Sequence, residues 1–243
     1  MIAAVLDRHG GTPAVGERDE PSAPLGSTLV RVDVAGLNPV DVAVASGRFY
    51  APVPNPPYVP GAELVGRVER SETVLAGTRV WGLPLTGALA PLAAVPDDRL
   101  VRVPDGLGDD DAILAGVAGL AGWMSVRSRG EARPGEAVAI LGASGVVGLV
   151  AVQAARAAGA GIVVAVARSA SGRERALDVG ADVALGLGSD LGARLRSAAD
   201  GGLDLVVDGL WGAPTAAATG ATTPGGRLVQ VGNSADQVAE LPG

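Results

Sequence analysis

The sequence predicts an α/β protein in which a small β-barrel is followed by a doubly wound parallel sheet, with helices on both faces. Two observations support this. Residues 1–115 alternate short β-rich runs with turns, whereas residues 116–243 alternate apolar strands with helical segments at βαβ spacing. With 48% hydrophobic residues, the chain can form the core of one large domain or two modest ones.

The first half carries the period of half-buried strands. Residues 28–36 (TLVRVDVAG) have apolar side chains at alternate positions, and ELVGRVE and TRVWGL have a similar texture. Between them, five prolines lie in the nine residues from Pro52 to Pro60. Proline fixes φ and removes a hydrogen-bond donor, so this segment is expected to be an ordered irregular loop.

The second half contains five apolar segments that we predict to be parallel strands: VAILG, GIVVAVA, ADVAL, LDLVVD and GRLVQVG. Helical segments connect them: VVGLVAVQAARAAG, SGRERALDVG, DLGARLRSAAD and the Ala-rich PTAAATG. In the second helix Ser171 and Glu174 have the spacing of a capping box, and Gly180 is expected to stop it.

The segment VAILGASGVVG is the strongest functional signal. The chain has 37 glycines, so three at fixed spacing decide nothing alone; a second match, GVAGLAG, has no strand before it. Gly142, Gly145 and Gly148, however, follow a buried strand and open a helix. These positions suit a tight turn, close approach of a diphosphate, and helix–strand packing, respectively.

This turn predicts a dinucleotide site. The diphosphate is expected to bind the main-chain amides of Ser144, Gly145, Val146 and Val147, helped by the helix dipole. The alternative is a strand–helix turn without a ligand.

The end of the second strand favours NADP(H) over NAD(H). No acidic residue occurs from Ala137 to Arg173, so the usual partner of a ribose 2′-hydroxyl is missing. The strand instead ends in Ala167, Arg168 and Ser169, and an arginine suits a 2′-phosphate. The alternative for Arg168 is a solvated loop charge.

The amino-acid composition argues against several kinds of functional site. Without cysteine, and with one histidine (His9), the chain lacks thiolate zinc sites and cysteine nucleophiles, and we expect no metal. All 19 basic residues are arginine, which excludes lysine chemistry. A net charge of −7 argues against nucleic-acid binding. Residues 137–155 are uncharged, but glycines and polar residues interrupt them, so we expect a cytoplasmic protein rather than a membrane protein.

The segments AGLNPVDVAVASGRFY, PGAELVGRV and VAILGASGVVGLVAVQAARAAGA together resemble the medium-chain dehydrogenase/reductase superfamily, in its zinc-free quinone oxidoreductase-like branch. The resemblance covers essentially the whole chain. It implies a GroES-like barrel, then a Rossmann domain, with the active site between them. Asn38 and Ala62 stand where zinc-dependent relatives have a cysteine and a histidine, so the resemblance also implies no zinc.

The resemblance implies NADPH-dependent hydride transfer to a quinone or an α,β-unsaturated carbonyl, small molecules that delocalise the resulting charge. Asn38 and Asp41 match the family's Asn-Pro-x-Asp near the nicotinamide, and Tyr50 matches a pocket aromatic that could donate a hydrogen bond. Each has a structural alternative: a chain turn for Asn38, a helix cap for Asp41, and packing against the proline loop for Tyr50.

By the same resemblance, Val231, Gly232 and Asn233 lie under the nicotinamide, with Asp208 nearby. The family often has a threonine where this chain reads GLAG at 119–122, which removes one expected cofactor contact. Relatives also continue beyond ELPG with a last strand that often pairs two subunits of a homodimer. We therefore expect a C-terminally truncated chain.

Two other functions stay open at this point. One is an enoyl reductase acting on carrier-bound thioesters, which shares the hydride chemistry. The other is a nucleotide-binding sensor or structural protein without turnover.

Overall fold

The structure is a computed structural model that describes residues 1–241. These residues divide into two compact units, Met1–Val117 and the chain from Ala118 onward. The first unit contains β1 (Ile2–Val5), β2 (Ala14–Glu17), β3 (Ser27–Gly36), α1 (Pro39–Ala45), β4 (Glu63–Arg70), β5 (Arg79–Gly82), β6 (Leu92–Pro96), β7 (Leu100–Arg102) and α2 (Asp109–Leu114). Helix α3 (Val117–Met124) begins at the last residue of this unit.

The first unit is built on a curled antiparallel sheet with strand order β6-β3-β4-β5-β7, beside the β1–β2 hairpin. Strand β3 covers the predicted 28–36 segment, and its alternate residue Val30 packs with Leu64 of β4 in the core. The prolines of 52–60 lie outside the sheets, and Tyr58 makes only an isolated bridge to Leu6. The predicted loop is confirmed.

The second unit has a five-stranded parallel sheet with order β10-β9-β8-β11-β12. After a π-helical turn at Ser125–Arg129, its elements are β8 (Ala137–Leu141), α4 (Val146–Ala157), β9 (Ile162–Val166), α5 (Ala170–Asp178), β10 (Val183–Leu185), α6 (Leu191–Ala198), β11 (Leu203–Asp208), α7 (Ala213–Thr219) and β12 (Thr222–Gln230). The predicted fold class is therefore confirmed.

Helices cover both faces of this sheet because β8 is apolar at every position. Val138 and Ile140 belong to the core formed with α4, whereas Ala139 and Leu141 belong to the core that contains Leu195 of α6. The uncharged stretch of residues 137–155 thus becomes a strand, a turn and a helix. Within residues 1–241 no helix combines the length and apolar character needed to cross a bilayer.

Helix α5 corrects one detail of the sequence interpretation. Its N-cap is Ser169, whose Oγ accepts a hydrogen bond from the amide of Gly172 at 3.1 Å, so the expected capping box of Ser171 and Glu174 is wrong. The second glycine match, GVAGLAG, lies at the start of α3, and a Cβ at Gly122 would collide with the backbone of Val147. That glycine has a packing role.

Candidate functional site

The glycine turn lies at the point where the strand order of the parallel sheet reverses. Strand β8 is central; the chain continues to β9 on one side and later to β11 on the other. Helices that leave in opposite directions open a crevice at the carboxyl ends of such strands, and ligands of doubly wound folds bind there. The turn from Gly142 to Gly145 occupies this position.

Local geometry explains the three glycines. Gly142 has φ of +84°, which an L side chain rarely adopts, and its amide and that of Ala143 both donate to the Val166 carbonyl at 3.0 Å. A Cβ at Gly148 would lie 2.5 Å from the Gly142 carbonyl oxygen, so only glycine lets α4 approach the turn. A Cβ at Gly145 would meet nothing closer than 3.8 Å, which leaves open space above the turn.

Main-chain donors at the start of α4 are left free. In the described chain the amides of Ser144, Val146 and Val147 have no hydrogen-bond acceptor, as expected for the first turn of a helix. The fourth predicted amide, that of Gly145, instead donates to the Gly142 carbonyl at 3.3 Å and helps to close the turn. Three of the four predicted donors are therefore available to an anion.

An arginine cluster lies beside these donors, after strand β9. Arg168 is exposed, and its carbonyl accepts a hydrogen bond from Arg173 Nη1 at 2.9 Å. Arg175 Nη2 lies 3.4 Å from the Ser144 carbonyl, which joins α5 to the glycine turn. Within residues 1–241 none of the three guanidinium groups pairs with a carboxylate.

Sequence reasoning named Arg168 but missed Arg173 and Arg175. The signal was present, because both arginines fall in the first two turns of the helix that follows the second strand. Predicted Ser169 is also here, but its Oγ is used by the Gly172 amide in capping α5. In a chain with net charge −7, three arginines without carboxylate partners in the described residues give this position a local positive charge.

Asp208 lies at the end of β11. Its carboxylate is buried, with Oδ1 accepting from the amides of Leu210 and Trp211 and Oδ2 accepting from Thr215 Oγ1 at 2.6 Å. These bonds hold the loop between β11 and α7. The Asp208 side chain thus has a structural role in this loop, and its contact with the cofactor stays a prediction.

The loop after β12 is held against Asp208 by main-chain bonds. The amides of Val231 and Gly232 donate to the Asp208 carbonyl at 2.7 and 3.2 Å. Asn233 is exposed, and its Nδ2 donates to Gln237 Oε1 at 3.1 Å. The amide of Gly209 in turn donates to the Leu141 carbonyl at 3.0 Å, so the loops after β8, β11 and β12 are joined.

In the first unit, Asp41 fixes the start of α1. Its Oδ2 accepts from the Asn38 main-chain amide and its Oδ1 from the Ala62 amide, both at 2.7 Å. This is the helix-capping alternative for Asp41. Burial raises the pKa of Asp41; the two amides oppose that rise, and the nearby Glu63 adds to it.

Sequence reasoning missed Glu63. It is only 1% exposed, and its carboxylate accepts from Asn38 Nδ2 at 2.6 Å, from Trp81 Nε1 at 2.9 Å and from the Val117 amide at 2.8 Å. A charged residue at the start of the apolar strand ELVGRV was the available signal. Its carboxylate and that of Asp41 both contact Asn38.

The two tyrosines have opposite environments. Tyr50, predicted to contact substrate, is 93% exposed, with its ring centroid 4.3 Å from that of Phe49. The Tyr58 hydroxyl, which sequence reasoning did not consider, is buried without a hydrogen-bond partner in the described chain. Burial and then the Asp41 charge raise the pKa of Tyr58. Tyr58 and Asp41 line a cavity of about 220 Å³ together with Thr86 and apolar residues.

The fold and the glycine turn define a class of protein: one with an antiparallel barrel-like unit and a doubly wound unit whose switch point carries a glycine turn with free main-chain donors. Two models of protein families match the chain and agree with this class. The one described as "Alcohol dehydrogenase GroES-like domain" matches residues 25–105, and the one described as "Zinc-binding dehydrogenase" matches residues 146–242.

Individual proteins similar to this chain indicate a particular branch of this class. A crystal structure of the quinone oxidoreductase from Thermus thermophilus, studied also in complex with NADPH, superposes with a TM-score of 0.83 and 35% identity over 95% of this chain and 74% of that one. The quinone oxidoreductase of Lama guanicoe is 27% identical over 96% of this chain and 73% of its own length. The chain therefore belongs to the medium-chain dehydrogenase/reductase superfamily, in the quinone oxidoreductase-like branch.

A different kind of relative is much longer. A phenolphthiocerol/phthiocerol polyketide synthase of Mycobacterium tuberculosis is 34% identical over 84% of this chain, and the match spans only 9% of that synthase polypeptide. The relatives thus include both separate oxidoreductases and a short segment of a polyketide synthase.

Proposed function

We propose that this protein is an NADPH-dependent oxidoreductase that reduces a quinone or an α,β-unsaturated carbonyl without zinc. The observation that carries the proposal is the free amides of Ser144, Val146 and Val147 beside the arginines that follow β9. This arrangement offers separate donors to a diphosphate and to a 2′-phosphate.

The residues present fit NADP(H). The three free amides would hold the diphosphate, and the open space at Gly145 lets it approach the backbone. Arg168, with Arg173 and Arg175 close by, would hold the 2′-phosphate. Val231, Gly232 and Asn233 remain our proposed contacts for the nicotinamide end. The bound cofactor would supply a hydride, and the protein would supply position and electrostatics.

The relatives support the phosphate-bearing cofactor. The Thermus thermophilus quinone oxidoreductase was solved in complex with NADPH. In this chain no carboxylate follows β9 to accept a hydrogen bond from a 2′-hydroxyl, because the residues there are Ala167, Arg168 and Ser169. The local charge therefore favours a cofactor with the extra phosphate.

The donor set does not fit a catalytic zinc, although one family model bears that metal in its description. The chain has no cysteine, and its one histidine, His9, lies within hydrogen-bond distance of the Pro54 carbonyl. Asp41 and Glu63 already accept main-chain or side-chain donors at both carboxylate oxygens. Residues 1–241 contain no group of three ligand-type side chains that could hold a metal ion.

Without a metal, the substrate itself has to delocalise negative charge, which a quinone or the β-carbon of an enone does. We propose that Asn38 and Tyr50 contact the substrate oxygen, and that Asp41 supports them by fixing the start of α1. Their contribution is hydrogen bonding and placement of the acceptor.

A second candidate is an enoyl reductase that acts on carrier-bound thioesters. The identity of 34% to a polyketide synthase favours it specifically. The hydride chemistry is the same, but the substrate arrives on a long carrier arm. Crotonyl thioesters assayed beside free enones separate the two, because a thioester reductase gives the higher kcat/KM with the thioester.

The decisive experiment is to titrate NADPH and NADH while following cofactor fluorescence, then to add 9,10-phenanthrenequinone or an enone. We expect tighter binding of NADPH and oxidation of the cofactor on addition of the acceptor. Binding without oxidation across quinones, enones and thioesters would favour a nucleotide-binding sensor and would contradict the proposed reaction. Absence of NADPH binding would contradict the proposal as a whole.

A further inference from the structure

Glu63 is a buried carboxylate without a cationic partner. It is 1% exposed, and within residues 1–241 no arginine lies within ion-pairing distance of it. A buried charge of this kind is costly unless hydrogen bonds satisfy it. Here three donors do so: Asn38 Nδ2 on Oε1, and Trp81 Nε1 together with the Val117 amide on Oε2.

Two glycines close around this carboxylate. A Cβ at Gly36, the last residue of β3, would lie 2.5 Å from Glu63 Oε1. A Cβ at Gly116 would overlap Glu63 Oε2 and the indole nitrogen of Trp81. The backbone at both positions therefore approaches the carboxylate more closely than any other residue would allow, so the Glu63 side chain has little room to move.

The contact with Asn38 decides which way its amide faces. A carboxylate only accepts hydrogen bonds, so the Asn38 NH₂ group, and not its Oδ1, must face Glu63 at 2.6 Å. One N–H is used in that bond, which leaves the second N–H for another partner. The main-chain amide of Asn38 is held as well, by Asp41 Oδ2 at 2.7 Å.

We propose that Glu63 is a positioning residue for the reaction: it sets the orientation of the Asn38 amide and so determines which group of Asn38 meets the substrate. The inference rests on the proposed function, in which Asn38 contacts the substrate oxygen. A side chain fixed through both its amide and its backbone loses little freedom on reaching the transition state.

The variant Glu63→Gln tests this orientation because two of the three donors cannot reverse. The Trp81 indole and the Val117 amide only donate, so the new carboxamide oxygen has to face them. Its NH₂ group then faces Asn38, whose amide must turn Oδ1 toward it. We expect kcat to fall by about 10–100-fold, as for lost supporting contacts elsewhere, with KM for NADPH changed less than about twofold.

The variant Asn38→Asp and its combination with Glu63→Gln measure the same contact through stability. Alone, Asn38→Asp places a second carboxylate next to that of Glu63. The two negative charges repel each other, and the thermal midpoint should fall by about 10 °C. In the double variant the carboxamide donates to the new carboxylate, so most of that fall should be recovered. Turnover should stay low in both, because Asn38 no longer offers an N–H.

Trp81→Phe is the matched control, since it removes a donor from the same carboxylate but leaves Asn38 unchanged. We expect a lower thermal midpoint with kcat close to that of the wild type. A merely structural Glu63 would differ from this pattern in one result: Glu63→Gln would change stability, as Trp81→Phe does, but its kcat would stay at the wild-type value.

The outcomes separate the inference from the proposed function. A wild-type kcat in Glu63→Gln, in a protein that reduces quinones or enones, overturns the positioning role alone. No stability recovery in the double variant shows that the Asn38–Glu63 contact is absent. A wild type that binds NADPH but reduces no acceptor contradicts the proposed function instead, and the recovery experiment still reports on the contact.

Discussion

The glycine turn of the second unit and the Asn38–Asp41–Glu63 cluster of the first unit supply hydrogen bonds in opposite ways. At the turn the donors belong to the main chain, and three of them lack acceptors in the described residues. In the cluster the acceptors are side-chain carboxylates, and they are already occupied: Asp41 accepts from two main-chain amides, and Glu63 accepts from the Asn38 side chain, the Trp81 indole and one main-chain amide. An unfilled set of donors indicates a ligand; a filled set indicates that one side chain is being oriented by its neighbours.

This difference also explains how each site tolerates change. The turn depends on the absence of side chains, so adding a methyl group tests it. The cluster depends on whether the nitrogen or the oxygen of the Asn38 side-chain amide faces the Glu63 carboxylate. Substitutions that exchange an amide for a carboxylate of the same shape therefore test it. The predictions below begin with the largest expected effect.

Gly148→Ala and Gly145→Ala separate fold from ligand binding at the same turn. A Cβ at position 148 meets backbone atoms at 2.5 and 2.6 Å, so we expect α4 to shift and the free energy of unfolding to fall by about 3 kcal/mol. A Cβ at position 145 has open space, and the protein should fold normally while its Kd for NADPH rises about tenfold or more.

Thermal unfolding and NADPH titration of both variants check this prediction. Equal stability losses in the two variants would show that the space above Gly145 is filled in solution. Unchanged NADPH affinity in Gly145→Ala would show that the diphosphate lies elsewhere.

Arg168→Ala tests the choice between cofactors. Loss of a charge-assisted hydrogen bond to a 2′-phosphate should weaken NADPH binding by about 2 kcal/mol, roughly thirtyfold, and leave NADH binding nearly unchanged. Arg196→Ala is the matched control, because Arg196 is also exposed but lies on α6. An equal effect of Arg168→Ala on both cofactors would remove the assignment of the 2′-phosphate.

Acid should weaken the contact between Glu136 and Arg227, which anchors β12. The hydrogen bond from Arg227 holds the pKa of Glu136 below its ordinary value of 4.5, so the pair stabilises the fold above about pH 4.5. That stability is lost as the pH falls through the lowered pKa. Glu136→Gln should therefore cost about 1 kcal/mol at pH 7 and much less at pH 3.

Urea unfolding at several pH values measures that difference. The exposed pair of Arg31 and Glu69 provides the control, because such pairs contribute little, and Glu69→Gln should change the free energy of unfolding at pH 7 by less than about 0.5 kcal/mol. A pH-independent cost of Glu136→Gln would mean that its charge is not what stabilises β12.

The smallest expected effects concern the two tyrosines. Tyr58→Phe removes a buried hydroxyl that has no partner in the described chain and should raise the free energy of unfolding by about 0.5–1 kcal/mol. Tyr50→Phe changes an exposed side chain, so stability should not move, but kcat should fall if its hydroxyl contacts the substrate. Destabilisation in Tyr58→Phe would reveal a partner in solution.

The sequence allowed the fold class, the five parallel strands and the glycine turn to be predicted, because strand period and glycine spacing are local properties. The hydrogen bonds of Asp208 could not be predicted for a non-local reason: its partner Thr215 lies on the next helix, and its main-chain carbonyl accepts from the loop after β12. Glu63 was missed for the same reason, since its donors come from residues 38, 81 and 117.

The central claim is that the free amides at the start of α4 bind the diphosphate of NADPH. Amide proton chemical shifts of Ser144, Val146 and Val147, recorded while NADPH is added, test it most directly and do not depend on turnover. We predict large, saturable downfield shifts at these three positions, with smaller changes across β10. Saturable NADPH binding that leaves the three amides unshifted would contradict the claim.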